Sequence, residues 1–377
     1  MSSLRTLHST DFSGKRVLLR TDYNVPVKDG EVQDRTRIEE SLPTLRFLES
    51  QGAKIIIASH LGRPKGKPAD EFRLDPVARE LSALLGKPVK KLDDCVGPAV
   101  EAAIATMQAG DIILLENLRF HPEEEANDPH FAQALAALAD VFVSDAFGTV
   151  HRAHASTEGI GHQLPAIAGL LIEKEVKALG TLLESPAHPV CLIVGGAKVD
   201  TKIGILEKFL TIADSFLIGG ALANTFLKAQ GVDIGASLHE EEKLSVARKF
   251  LAEAAGKEVL LPTDFAQEEV EGSFKILDLG EKTVEAYLAV IEKAKTIIWN
   301  GPLGLYEMEA FAKGTKAIAK GVAESGASTV LGGGDTVDAI HHFGYTGKEF
   351  GHISTGGGAM LEFLEGKELP GLKILMD

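Results

Sequence analysis

The sequence predicts an α/β protein: two doubly wound, Rossmann-like domains, each on a parallel sheet, joined by a linker helix. Three observations carry this. A chain of 377 residues is longer than one ordinary domain of roughly 100–200 residues. Short apolar runs alternate with segments of helical spacing along its length, the pattern of strand–helix–strand units. The apolar runs are continuous rather than alternating, as strands covered on both faces must be.

In the first part the runs are 17–19, 55–58, 112–115 and 141–143. In the second they are 190–194, 215–218, 259–261, 296–299 and 329–331. Helical spacing marks 38–49, 76–85 and 131–139, then 243–254 and 311–324. Between the two series, 170–184 reads as a long helix. Leu170, Leu171, Val176, Leu179, Leu182 and Leu183 give it an apolar stripe, and Ser185-Pro186 breaks it. The expected division is a first domain at 1–169, the linker helix at 170–184 and a second domain at 185–364. The tail 365–377 is expected to complete the first domain.

Composition excludes several classes. Hydrophobic residues at 45% and charged residues at 25% are those of a folded globular chain. The net charge of −15 argues against a nucleic-acid binder, which needs a broad basic face. It leaves room for a small anionic ligand in a local positive pocket. Cys95 and Cys191 are too few for a disulfide framework or a cysteine-based metal site, and fit a reducing compartment. No apolar run nears the ~18–20 residues that span a membrane. The polar stretch 1–15 has no signal-peptide core. A cytoplasmic location is expected.

The charge hides an asymmetry. Eleven of the twelve arginines precede Leu170, and only Arg248 follows it. Adjacent glycines do the reverse: Gly195-Gly196, Gly219-Gly220, Gly332-Gly333-Gly334 and Gly356-Gly357-Gly358 all lie beyond it. Arginine forks suit carboxylates and terminal phosphates. Glycine turns before helices suit polyphosphates, because bare backbone approaches closely and N–H groups point outward.

Nearly every strand runs into such a cluster, at the carboxyl edge where ligands bind parallel sheets. Asp22 and Asn24 follow the first strand; both are common turn residues, and both can hydrogen-bond a polar ligand. His60, Arg63, Arg119, His151 and Arg152 come from three strand ends, and Arg37 opens a helix. Together they make a pocket of about +4, more if the histidines charge. No carboxylate-rich set with metal-ligand spacing accompanies those histidines. Gly195-Gly196-Ala197-Lys198 leads into a helix expected near Asp200, with Lys198 and Lys202 on one helix face. Gly332-Gly333-Gly334-Asp335-Thr336 opens another helix, where Asp335 has two readings: a cap, or a ligand for Mg²⁺ on a bound phosphate. Gly356-Gly357-Gly358 precedes a third helix expected at 359–364. Trp299-Asn300-Gly301-Pro302 ends a further strand, and Glu307 just beyond it suits ribose hydroxyls. The P-loop, the G-x-G-x-x-G fingerprint and the protein-kinase motifs are all missing.

These clusters, in this order, resemble the phosphoglycerate kinase family over essentially the whole chain. The resemblance rests on R-T-D-Y-N-V-P from Arg20, S-H-L-G-R-P from Ser59, E-N-L-R-F from Glu116 and D-A-F-G-T-V-H-R-A-H-A-S from Asp145. It continues through G-G-A-K-V from Gly195, W-N-G-P-L-G-L-Y-E from Trp299, G-G-G-D-T from Gly332 and S-T-G-G-G-A from Ser354. It implies two domains with a cleft between them, and reversible phosphoryl transfer between ATP and 3-phosphoglycerate, giving ADP and 1,3-bisphosphoglycerate. It implies Mg²⁺ as the cofactor and a monomer.

By the same resemblance, Asp22, Asn24, Arg37, His60, Arg63, Arg119, His151 and Arg152 hold the acid. The nucleotide falls to Gly196, Lys198, Lys202, Gly219, Gly220, Gly280, Asn300, Pro302, Glu307, Gly332, Gly333, Gly334, Asp335 and Thr336, with Asp335 on the metal. Arg37, Lys198, Gly357 and Gly358 are the expected catalytic set. The chain departs from the family's usual pattern at Thr21 and Tyr23, at Ile218–Leu222, and in a short segment 261–280 on the expected adenine side.

The chemistry accounts for what is absent. A carboxylate nucleophile is ionised at pH 7 and needs no general base. Catalysis is then positioning and charge neutralisation on the transferring group. A two-domain dehydrogenase would need the missing G-x-G-x-x-G turn. A closing anion-binding protein would explain the arginines but not Gly332–Thr336.

Overall fold

The computed structural model describes residues 3–377. The chain divides into two compact units. The first runs up to Lys177 and is rejoined by Glu368–Asp377; the second is Ala178–Lys367. The boundary therefore falls inside the helix Leu170–Glu184, and residues 365–367 stay with the second unit.

The first unit is built on a six-stranded sheet. Its order is Lys90–Lys91, Ile112–Leu114, Lys54–Ala58, Arg16–Arg20, Val141–Ser144, Ala166–Ala168. Every neighbouring pair is parallel. Leu19 lies opposite Ile57 on one side and Val143 on the other. These central strands are apolar at successive positions because helices cover both faces. Thr36–Ser50 and Asp75–Leu85 contribute Ile38, Leu45, Leu48, Val77 and Leu81 to the core. The chain's two ends meet in this unit: the Arg5 N–H donates to the Leu375 carbonyl at 2.9 Å.

The second unit repeats the plan. Its order is Glu258–Leu260, Ser215–Ile218, Val190–Val194, Thr296–Asn300, Ser328–Gly332, His352–Ser354, again all parallel. Trp299, Ile193, Leu217 and Leu331 sit in its core with Tyr287 and Ile318 from flanking helices. Reversal of strand order beside the first strand of each sheet marks a switch point, and the loops that leave the strand ends there are the natural ligand edge.

The nine runs read from sequence are all strands. Three further sheet strands, Lys90–Lys91, Ala166–Ala168 and His352–Ser354, are too short or too polar to stand out. The short segment 261–280 folds mainly as an antiparallel hairpin, Phe265–Val270 against Ser273–Leu279. Helices Pro98–Ala105, Gly220–Ala229 and Glu281–Ile291 also went unmarked.

One expectation fails locally. No helix begins near Asp200; residues 198–202 form turns, and the helix is Ile203–Phe209. The Val199 N–H is held by the Glu240 carboxylate, and the Lys202 N–H closes a tighter turn onto the Val199 carbonyl at 2.8 Å. Lys198 and Lys202 therefore share no helix face. No helix among the described residues is long and apolar enough to cross a membrane.

Candidate active site

In the first unit, the strand ends gather charge into one buried network. Arg37, on the first turn of Thr36–Ser50, donates to the Asp22 carboxylate at 2.6 Å. The other Asp22 oxygen lies 3.9 Å from Nδ1 of His60, which itself lies 3.3 Å from the Arg20 guanidinium. Arg20 donates to the Ser156 hydroxyl at 2.8 Å, and that hydroxyl donates to Glu124 at 2.6 Å. Gly62 is gripped from both sides: its N–H donates to Asn24 Oδ1 and its carbonyl accepts from Arg119, each at 2.8 Å. Arg63 follows directly, exposed and without a hydrogen-bond or ion-pair partner among the described residues. Arg152 is also exposed, its Nε–H donating to His151 at 3.2 Å. Arg152 and Arg119 oppose each other's charge, which places both on the same patch.

The cations are arginines, not histidines. Burial first, then Arg20, Arg119, Arg37 and His154, pushes His60 well below its ordinary value of 6.5. Burial, then Arg20, Arg119, Arg152 and His151, bring His154 down to about 4. Both rings are neutral at pH 7, so His60 and His154 add no charge to the pocket. Arg37 pairs with Asp22 and Arg119 with Glu125, while Glu124 and Asp22 act on Arg20. The patch is positive by less than the arginine count, and Arg63 is its uncommitted fork.

Sequence reasoning left out Arg20, Glu124 and His154. Arg20 is a charged residue that ends a fully buried strand, 1% exposed, and its place at the head of the first motif was the signal available. Glu124 has no such signal; nothing in the run Glu123–Glu125 marks which carboxylate turns inward.

In the second unit, four strand ends interlock through glycine. The Gly195 N–H donates to the Asn300 carbonyl, Gly196 to Pro302, Gly220 to Leu303 and Leu222 to the Gly196 carbonyl, each at 2.9 Å. Gly220 has φ +65°, and a Cβ there would lie 2.9 Å from the Gly196 nitrogen. These glycines are required by backbone packed on backbone, and their N–H groups are spent inside the protein. Thr336 is likewise scaffold. It is fully buried, accepts from the Gly301 N–H at 2.7 Å and donates to the Gly332 carbonyl at 2.9 Å. Asn300 is buried between the Lys202 ammonium and the Gly332 carbonyl. Gly280 caps Glu281–Ile291 against Asp264 and does not line the adjoining cavity.

Gly334 is the contrast. It begins the helix Gly334–His342, and a Cβ on it would meet nothing within 4 Å. The first N–H groups of a helix have no internal partner, so this turn is where donors remain for an anion. Asp335 does not cap the helix; Gly333 holds the cap position and no side chain caps it. The Asp335 carboxylate is exposed and without a hydrogen-bond or ion-pair partner, and its charge acts on Lys202. Lys198 is exposed too, its ammonium uncommitted. Gly357 takes φ +52° ahead of the helix Gly358–Leu364, one residue earlier than expected.

Beside these turns lies a cavity of about 490 Å³. Leu238, Ile276, Leu277, Leu303 and Leu305 give it apolar walls, and Gly196, Gly220, Pro302, Tyr306, Glu307 and Asp335 also line it. The hairpin 265–279 supplies one side. Such a space takes a flat apolar group with a polar tail leading to the glycine turn. Trp299 lies beneath, fully buried, its indole N–H donating to the Gly301 carbonyl at 2.8 Å.

Comparison with known proteins agrees with this arrangement. The sequence model of the family described as phosphoglycerate kinase matches residues 7–367. The phosphoglycerate kinase of Moorella thermoacetica is 53% identical over 389 aligned positions, covering 99% of each chain. That of Pelotomaculum thermopropionicum is 52% identical over 390, again with 99% of each. The solved phosphoglycerate kinase of Coxiella burnetii superposes with a TM-score of 0.88 at 42% identity, over 99% of both chains. That of Pyrococcus horikoshii OT3 gives 0.87 at 35% identity, covering 99% of this chain and 98% of the other. The chain belongs to the phosphoglycerate kinase family.

Proposed function

We infer that the chain catalyses its family's reaction: reversible phosphoryl transfer between ATP and the carboxylate of 3-phosphoglycerate, with 1,3-bisphosphoglycerate and ADP as the products. The first unit takes the acid, and the second takes the nucleotide. The observation that carries this division is the pair of uncommitted sets: Arg63 in the arginine network, and Lys198 with Asp335 at the open glycine turn.

On the acid side, Arg63 and Arg152 are free to fork onto the substrate's phosphate, and Arg119 is positioned with them through Gly62. Asp22, locked to Arg37, and Asn24 orient the hydroxyl and carboxyl end. Neutral His60 adds hydrogen bonds without charge, and His151 stands beside Arg152 as that residue's hydrogen-bond partner. On the nucleotide side, the apolar cavity receives the base and Glu307 the ribose. The phosphates run along the open turn to Lys198, Lys202 and the N–H groups at Gly334.

The donor set at that turn fits Mg²⁺. One exposed, uncommitted carboxylate, Asp335, suits an ion that takes its other ligands from phosphate and water. When bound, Mg²⁺ supplies charge neutralisation on the phosphate oxygens.

The acid's carboxylate is already ionised, so no proton transfer is needed to create the nucleophile. The chain's residues have two tasks: to align the carboxylate with the terminal phosphorus, and to offset repulsion between two anions, which costs several kcal/mol unscreened. Arg37 and Lys198 are assigned to the reacting groups, and the Gly357 and Gly358 N–H groups donate to the transferring oxygens. The two units must bring their substrates together during the cycle and exclude water as they do so. The proposal extends to a cytoplasmic monomer, which sedimentation velocity checks.

Hydroxylamine trapping tests the reaction. With ATP, Mg²⁺ and 3-phosphoglycerate, the expected outcome is a hydroxamate whose yield tracks ADP. ADP release without hydroxamate would overturn acyl-phosphate formation. The same assay with GTP measures how strictly the cavity formed by the hairpin selects its base.

A further inference from the structure

Asp94, Cys95 and His121 stand outside the network described above and form a second constellation in the first unit. One donor atom from each lies within 4.8 Å of the other two. Asp94 and Cys95 occupy the loop after Lys90–Lys91, and His121 follows the turn Leu118–Phe120. The constellation is pre-ordered. Asp94 Oδ1 accepts from the Cys95 N–H and from His121 Nε2, each at 2.7 Å. The His121 ring stacks on Phe131, with centroids 5.1 Å apart and planes 26° apart. Asp94 is exposed and His121 half-buried, while Cys95 is 1% exposed.

We propose that Asp94, Cys95 and His121 bind one thiophilic divalent cation of the Zn²⁺ class, as a structural clamp separate from the nucleotide's metal. Sulfur, imidazole nitrogen and carboxylate oxygen are the donors that such an ion selects, and Mg²⁺ does not take sulfur. Metal–ligand bonds of about 2.0–2.3 Å require the three donors to draw slightly closer, which rotation of the exposed Asp94 side chain supplies. A fourth position stays open to water.

The surroundings favour a cation. The Asp94 and Glu124 carboxylates both act on the thiol and so put negative charge beside the position the cation would take. On binding, the Cys95 S–H bond breaks, its electron pair passes to the metal, and the proton leaves to solvent. The ion would tie the 92–97 loop to the loop that presents Arg119, two residues before His121. The Asp94 carbonyl already accepts the Glu116 N–H at 3.3 Å along the same seam.

Cobalt titration of the full-length, nucleotide-free protein under a non-thiol reductant tests the site. The expected result is a sulfur-to-cobalt charge-transfer band that saturates at one equivalent and is bleached by one equivalent of Zn²⁺. Cys95→Ser should abolish the band, and His121→Gln should weaken binding at least ~10-fold. Cys191→Ser should leave the band intact, since Cys191 is buried in the strand Val190–Val194 of the second unit. Asp94 is exposed and His121 half-buried outside the hydrophobic core, so Asp94→Asn and His121→Gln decide the matter if Cys95→Ser does not fold. A wild-type protein without the band would overturn the proposal. So would a band that survives Cys95→Ser, or cobalt affinity unchanged in both Asp94→Asn and His121→Gln.

Discussion

On the proposed assignment, the two units hold anions by opposite means on the same kind of sheet. In the first, the strand ends carry side-chain charge, and the backbone only places it: Gly62 exists to hold Arg119 and Asn24 in register. In the second, the backbone itself fills the strand ends, and the side-chain charge at the glycine turns comes from Lys198, Lys202 and Asp335. A terminal phosphate and a carboxylate are compact and fully charged, so arginine forks serve them. A polyphosphate is extended and carries its own cation, so a helix start with room around it serves better. The difference teaches that glycine enrichment has two causes. Gly195, Gly220 and Gly301 are needed because strand-end turns press together; Gly334 is needed because space must stay open.

This comparison can be broken at several points. The largest expected effect is on Lys198→Ala, which should lower kcat at least ~100-fold with little change in the acid's KM. Near-normal turnover would remove Lys198 from the reacting groups. Next, Gly220→Ala combines positive φ with a clash against backbone and should cost about 2–4 kcal/mol. Gly334→Ala should leave stability nearly unchanged and raise the nucleotide KM ~10-fold. Trp299, the only tryptophan, reports urea unfolding of the second unit in both cases. Equal losses of stability would erase the distinction between packed and open glycines.

A smaller effect concerns Asp278 in the cavity wall. Burial raises its carboxyl to about 6, although it accepts the Gly314 N–H at 2.7 Å. The folded form binds this proton more tightly than the unfolded one. Stability of the second unit should therefore fall as pH rises from about 4 to about 6, by about 2 kcal/mol, and Asp278→Asn should flatten the slope. An unchanged slope in the variant would assign the effect elsewhere. The mildest test is spectroscopic. NMR titration should find His60 and His154 neutral, with no transition near pH 6.5; a transition there would restore histidine charge to the acid pocket.

The parallel sheets and the strands 17–19 and 190–194 were legible because parallel strands buried on both faces leave unbroken apolar runs; the order of the strands in each sheet was not. The edge strand Lys90–Lys91 was not, since an edge needs little apolar cover. The position of the clusters at strand ends was legible as well. Their internal economy was not. Nothing in the letters says that Asn300 and Thr336 spend their polar atoms inside the scaffold, that Glu124 turns inward beneath Ser156, or that His60 is neutral. Those depend on which groups meet across more than thirty residues of chain. The helix expected near Asp200 failed for the same reason: Glu240, 41 residues away, captures the N–H of Val199.

The central claim is the division of anion binding between the units, and Arg63→Ala tests it most directly. Its guanidinium has no protein partner to lose, so the substitution should leave stability intact. Dissociation constants for 3-phosphoglycerate and for MgATP should be measured on the same preparation by calorimetry. Loss of one charge-assisted contact, about 1.5–3 kcal/mol, predicts that binding of the acid weakens ~10–100-fold while that of the nucleotide stays within about twofold. Equal weakening of both ligands, or a loss confined to the nucleotide, would contradict the account.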